Sequence, residues 1–141
     1  MYSIDNINTI HLEVTNKCQA SCPMCARNLQ GGTTNPFLKE SEISFEDFVR
    51  WLSPGFVSQL DKLYMCGNLG DPIIAKDTVK IFEYCREHNT NIQLSMNTNG
   101  SARDSAFWKR LAELKVTVDF LRSENEELHK KAKTKKQQLN G

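Results

Sequence analysis

The sequence predicts an α/β fold in which parallel strands are joined by helical crossovers. Two observations carry this expectation. Four short strand-like segments alternate with amphipathic helical segments in the order β-loop-α-β-α-β-α-β, the pattern of a crossover-connected parallel sheet. Three of the strand-like segments run directly into polar loops bearing cysteine, glycine or asparagine, where functional residues of such folds collect.

Ile10-His11-Leu12-Glu13-Val14 alternates apolar and polar residues and reads as the first strand. The cysteine-rich stretch 18–25 follows, and residues 27–36 are polar, rich in turn formers and without periodicity, which makes an extended loop. Ser44 is a candidate helix N-cap, with Asp47 at the capping-box position. Phe45, Phe48, Val49 and Leu52 form a helical stripe that Pro54-Gly55 ends. Residues 60–66 are the second strand candidate and run into Gly67-Asn68-Leu69-Gly70-Asp71-Pro72. The next helix starts near Asp77, buries Val79, Ile81, Phe82 and Cys85, and ends around His88-Asn89. Residues 91–97 alternate and make the third strand, turned at Thr98-Asn99-Gly100, where Gly100 supplies a positive φ. Asp104 or Ser105 caps a third helix through Phe107, Leu111 and Leu114, and Val116–Phe120 is the fourth strand.

The chain has 141 residues, about one domain's length, with 39% hydrophobic and 25% charged residues, the composition of a soluble globular protein. A net charge of +1 gives no indication of nucleic-acid binding. No apolar run approaches the roughly 20 residues of a membrane span, and the first residues lack the basic-then-apolar pattern of a secretory signal. Five cysteines in such a chain argue for metal or redox use in a reducing cytoplasm and against a disulfide framework. Residues 1–120 carry 12 Lys and Arg against 14 Asp and Glu, whereas residues 121–141 carry 6 against 3. That shift divides a core, 1–120, from a polar, helix-favouring tail, 121–141, without the sustained apolar face of a coiled coil.

Cys18, Cys22 and Cys25 place three thiols in eight residues, spaced C-x3-C-x2-C. A structural zinc site normally closes with four ligands, and a four-iron–four-sulfur cluster held by cysteine normally uses four thiolates. Three local thiols therefore need a distant fourth ligand or leave a coordination position open for chemistry.

The cysteine loop, placed after the first strand, resembles the C-x3-C-x-φ-C signature of the radical S-adenosylmethionine (SAM) family. The resemblance covers residues 9 to about 120. It implies a partial (βα) barrel of the radical SAM type, here about four parallel strands with crossover helices where the family typically has six. It implies a 4Fe-4S cluster on Cys18, Cys22 and Cys25, whose fourth iron is chelated by S-adenosyl-L-methionine. Reductive cleavage of SAM then yields a 5′-deoxyadenosyl radical that abstracts hydrogen from a substrate. Met24 takes the φ place, near the adenine, where a thioether can pack on a purine face. Gly67, Asn68, Gly70 and Asp71 stand where the family binds the SAM amino group, with Asp in place of the common Glu and Asn68-Leu69 inserted between the glycines. Glycines let the main chain approach a small ligand closely, and Asp71 can supply or orient acceptors for the ammonium. Asn97, at the third strand's end, and Asp119, near the fourth strand's end, are candidates for cofactor contact, Asp119 for ribose hydroxyls and Ser95 as another such candidate. The family also implies an electron donor such as flavodoxin or ferredoxin. No residue is marked as catalytic, and the substrate is not legible.

Cys85 reads as a small core residue, Cys66 as a packing residue beside the site, and His11 as a polar strand residue. Arg27 is expected in solvent, and Trp51 and Trp108 in helix packing. Two other readings stand beside the first. One is a zinc-binding structural module whose fourth ligand is Cys66 or His11. The other is a truncated, catalytically inactive remnant, its sheet edge open at the fourth strand, acting through a partner chain that completes the barrel.

Overall fold

The structure is a computed structural model and describes residues 3–120. The expected tail, and with it the boundary at 120/121, lies outside the described residues. Among the described residues one parallel sheet forms from β1 (Thr9–Leu12), β2 (Lys62–Met65), β3 (Gln93–Thr98) and β4 (Val116–Phe120), in that spatial order. Helix α1 (Phe45–Trp51) and the short α2 (Pro54–Ser58) lie between β1 and β2, α3 (Thr78–His88) between β2 and β3, and α4 (Ser105–Glu113) between β3 and β4. The α/β alternation is therefore as expected, and the strands pair in sequence order.

Register explains which residues face the helices. Ile10 pairs with Leu63, Leu63 with Leu94 and Leu94 with Val116; one step on, Leu12, Met65, Met96 and Val118 align. These rows join Phe48, Ile81, Phe82, Trp108 and Leu111 in one hydrophobic core, as strand period two and helix period 3.6 require. Alternate positions put His11, Tyr64, Ser95 and Thr117 in the row on the other face.

Helix starts follow the side chains that cap them. Ser44 accepts the Asp47 N–H at 3.1 Å, and Asp104 accepts the Phe107 N–H at 3.0 Å. Pro54 ends α1 as expected but also opens α2, because a proline at the first helical position loses no bond; Ser53 caps that turn through the Phe56 N–H. Trp108 is buried at 1% exposure, whereas Trp51 is 58% exposed: α1 ends on it, off the stripe formed by residues 45, 48, 49 and 52. Among the described residues no helix is long and apolar enough to cross a membrane.

Candidate metal and cofactor site

The loops that follow β1, β2 and β3 close around one cavity of about 190 Å³, lined by Cys18, Cys22 and Cys25, by Gly67 to Asp71, and by Asn99. That volume lies below the ~300–1,000 Å³ of a typical complete small-molecule pocket, so it suits a compact group with part of a larger ligand. All three thiols are partly exposed. Burial pushes the Cys18 thiol above its ordinary value, against the lowering effect of the Ala20 N–H that it accepts at 3.4 Å.

The glycine loop is shaped first by the chain itself. A Cβ on Gly70 would stand 2.0 Å from the Thr15 carbonyl oxygen, and one on Gly67 2.6 Å from that of Gly70. The close approach at Gly70 is therefore to the β1 exit, fastened by the Asp71 N–H donating to the Lys17 carbonyl at 2.9 Å. Asn68 is held by Glu13, whose carboxylate accepts its main-chain N–H at 3.2 Å and its amide at 2.6 Å.

Asp71 is 3% exposed, and its oxygens are taken up by neighbouring loops. Oδ1 accepts from the Ile73 N–H (3.1 Å) and the Thr98 hydroxyl (2.7 Å), and Oδ2 from the Asn99 N–H (2.8 Å). Burial pushes this carboxyl above the usual carboxylate range, while those three donors pull it back. Thr98 Oγ1 in turn accepts from the N–H of Gly100, which adopts the expected positive φ of 67°. Asn99 reaches the cysteine loop: Nδ2 lies 3.7 Å from Cys18 Sγ, and Oδ1 accepts from the Gln19 amide at 2.8 Å.

The other candidates fall outside the cavity lining. Met24 is 87% exposed. Asn97 directs its amide at Cys66 Sγ, 3.7 Å away, and is paired in register with the exposed Asp119 at the sheet's C-terminal end. Ser95 sits one pleat below Asn97. His11 stacks on Tyr64, 4.6 Å between centroids, and its Nε2 meets the Cys66 carbonyl at 2.7 Å. Cys85 is fully buried in α3, and burial pushes its thiol up to about 12.

Arg27 is not in solvent. It is 4% exposed and donates to Glu40 at 2.5 Å and to the Asn16 carbonyl, bracing the long loop against the β1 exit. Sequence reasoning also missed Glu13, Gln19 and the side chain of Asn99, polar residues whose only signal was adjacency to a strand end or a cysteine.

The donor set can be tested against the groups it would hold. Among the described residues, no three His, Cys, Asp or Glu side chains converge as ligands of one metal ion. A single zinc needs its sulfurs all within about 2.3 Å of one centre. His11 and Cys66, the proposed fourth zinc ligands, lie outside the cavity lining, with His11 Nε2 already engaged. Cys18, Cys22 and Cys25 share one open cavity, and thiolates are the donors that an iron–sulfur cluster takes.

No family model matches the chain. The GTP 3′,8-cyclase of Desulforamulus reducens is 30% identical over 96 residues, 67% of this chain and 28% of the enzyme. The crystal structure of BtrN in complex with AdoMet and 2-DOIA superposes at a TM-score of 0.64 with 16% identity, over 84% of this chain and 47% of that one. The anSMEcpe protein with bound AdoMet superposes at 0.69 with 18% identity, over 95% and 40%. The chain thus spans under a third of the curated relative's length and under half of each of these barrels.

Proposed function

We propose that this chain is a domain of the radical SAM type, as its likeness to the GTP 3′,8-cyclase and to the two AdoMet-bound structures supports, that Cys18, Cys22 and Cys25 hold a 4Fe-4S cluster, and that the protein uses S-adenosyl-L-methionine in radical chemistry. The observation that carries this reading is the single cavity shared by the three thiols and the Gly67–Asp71 loop. When bound, the cluster and SAM would supply a 5′-deoxyadenosyl radical able to abstract hydrogen from a substrate; that chemistry belongs to the cofactors.

The chain's own residues bind and orient. The three thiolates would hold three irons and leave the fourth open to the cofactor, and the main chain of the Gly67–Asp71 loop, which lines the same cavity, would supply carbonyl acceptors to an ammonium group. The carboxylate of Asp71 is engaged by three donors, so its part is to hold that loop's shape while the carbonyls do the accepting. Asn97 and Asp119 pair near the C-terminal ends of β3 and β4 and suit the outer part of the cofactor, and the exposed Met24 suits contact with a purine. The five thiols and an oxygen-sensitive cluster suit a reducing compartment such as the cytoplasm, with a flavodoxin- or ferredoxin-type electron donor.

Anaerobic reconstitution with iron and sulfide, followed by absorption and EPR spectra with and without SAM, tests the reading. About four irons per chain and a reduced signal that shifts on adding SAM are expected, with both lost in Cys18→Ala, Cys22→Ala or Cys25→Ala. A colourless protein loaded with zinc would overturn it.

A further inference from the structure

We propose that Asn99 sets the reduction potential of the cluster through a hydrogen bond to Cys18, and that the buried Asp71 carboxylate is the residue that positions Asn99. The inference rests on the cluster reading above and deepens it.

The orientation of the Asn99 amide is fixed by its partners. Oδ1 accepts from the Ser101 main-chain N–H at 3.0 Å, from the Ser101 hydroxyl at 2.7 Å and from the Gln19 amide at 2.8 Å. A main-chain N–H can only donate, so the atom facing it is oxygen, and the atom 3.7 Å from Cys18 Sγ is the NH₂ nitrogen. Cys18 Sγ thus receives two N–H groups, from Ala20 and from Asn99. Donors aimed at a ligating sulfur draw electron density from it and favour the form carrying one more electron, which raises the potential. One electron enters from an external reductant; no bond is made or broken in that step and no proton moves.

Asp71 earns its place by having two acceptor oxygens. Main-chain N–H groups claim both, Ile73 at Oδ1 and Asn99 at Oδ2. An asparagine there would turn its NH₂ toward one of them. Thr98, accepting from Gly100, has its hydroxyl proton free to donate only to Asp71. The Asn99 main chain is therefore clamped to the β2 loop while its side chain lies on the cysteine loop.

The test compares wild type, Asn99→Ala, Asn99→Asp, Asp71→Asn and the Asp71→Asn/Asn99→Ala double variant, reconstituted anaerobically without SAM. Iron and sulfide are counted, and the midpoint potential is read by mediated titration with EPR detection of the reduced cluster. Asn99→Ala is expected to lower the reduced-to-oxidised ratio at fixed poise about tenfold, a fall of about 59 mV for a one-electron couple. Asn99→Asp keeps the oxygen for Ser101 but puts a carboxylate oxygen at the sulfur, and is expected to fall further. Asp71→Asn shifts the same way, and the double variant matches Asn99→Ala alone, because Asp71 acts through Asn99. Since EPR counts only loaded protein, partial loading of a variant leaves the potential readable. An unmoved potential in Asn99→Ala and Asn99→Asp, or additive shifts in the double variant, would overturn the proposal while leaving the cluster reading intact. A wild-type protein that takes up no cluster would sink both.

Discussion

The carboxylate of Asp77 accepts the main-chain N–H of Phe45 at 3.1 Å, so the residue that precedes α3 satisfies the first amide of α1, 32 positions earlier. Asp77 makes no side-chain cap to its own helix. One carboxylate thereby couples the position of α1 to the loop leading into α3.

That bond gives a pH signature. The Phe45 N–H holds the Asp77 carboxyl below the usual carboxylate range, with Lys80 and Lys76 acting in the same direction and burial opposing them. A depressed folded pKa contributes stability above the unfolded value, about 3.9, and loses it as pH falls through the folded value. Asp77→Ala should cost about 1 kcal/mol near neutral pH, and the cost should shrink below about pH 4. Urea melts at several pH values would measure it; a pH-independent difference would contradict the assignment.

Gly70 and Gly55 should respond oppositely to alanine. At Gly70 the new methyl meets the Thr15 carbonyl oxygen at 2.0 Å, main chain against side chain, with no flexible group to yield. We expect a loss of about 3 kcal/mol or more and a displaced cysteine loop. At Gly55, inside α2, nothing lies within 4 Å of the added carbon, so Gly55→Ala should stabilise by about 0.5–1 kcal/mol. Thermal melts of the two variants distinguish them; equal shifts would count against the backbone contact.

The Arg27–Glu40 pair should be lopsided. The Arg27 side chain is 5% exposed and that of Glu40 48%. Glu40→Gln keeps an acceptor in a half-solvated place and should cost under about 1 kcal/mol. Arg27→Ala empties a buried site and strips the Asn16 carbonyl of its donor, for about 2–4 kcal/mol. Comparable losses in chemical denaturation would refute this asymmetry.

Cys85 should be the last thiol to react. It is fully buried, with its pKa pushed up to about 12, so thiolate is scarce at pH ~8. Iodoacetamide should leave Cys85 unmodified until urea unfolds the chain, as read by mass spectrometry. A folded-state pKa raised this way also means that stability present below the unfolded thiol's pKa, about 8.5, is lost as pH rises toward 12. Labelling of Cys85 in the native protein would show that α3 is not packed as described.

The elements were legible because each carries its own period. Phe45, Phe48, Val49 and Leu52 lie one helical turn apart, and Leu63, Leu94 and Val116 alternate with polar neighbours that the register places on the opposite face. The thiols were legible because their spacing is local. What stayed hidden was polar and long-range: Glu13 meets Asn68 across 55 positions, Gln19 meets Asn99 across 80, and Asp71 meets Thr98 across 27. Such bonds leave no periodicity, and a lone asparagine after a strand reads as a turn residue. Arg27 was misjudged for the same reason: an arginine in a polar loop is assigned to water until the loop's path over Glu40 is known.

The bond from Gln19 to Asn99 also orders events in time during synthesis. The strands lie in the sheet in the order in which they are translated, but the cysteine loop comes first and its brace arrives 80 residues later. At ~5–20 residues per second, the cysteine loop waits about 4–16 s on a nascent chain before the segment that braces it at Cys18 and Gln19 exists. On the cluster assignment proposed above, the contacts that Asn99 makes to Gln19 and Cys18 would be available to the site only once the third strand and its turn have been made.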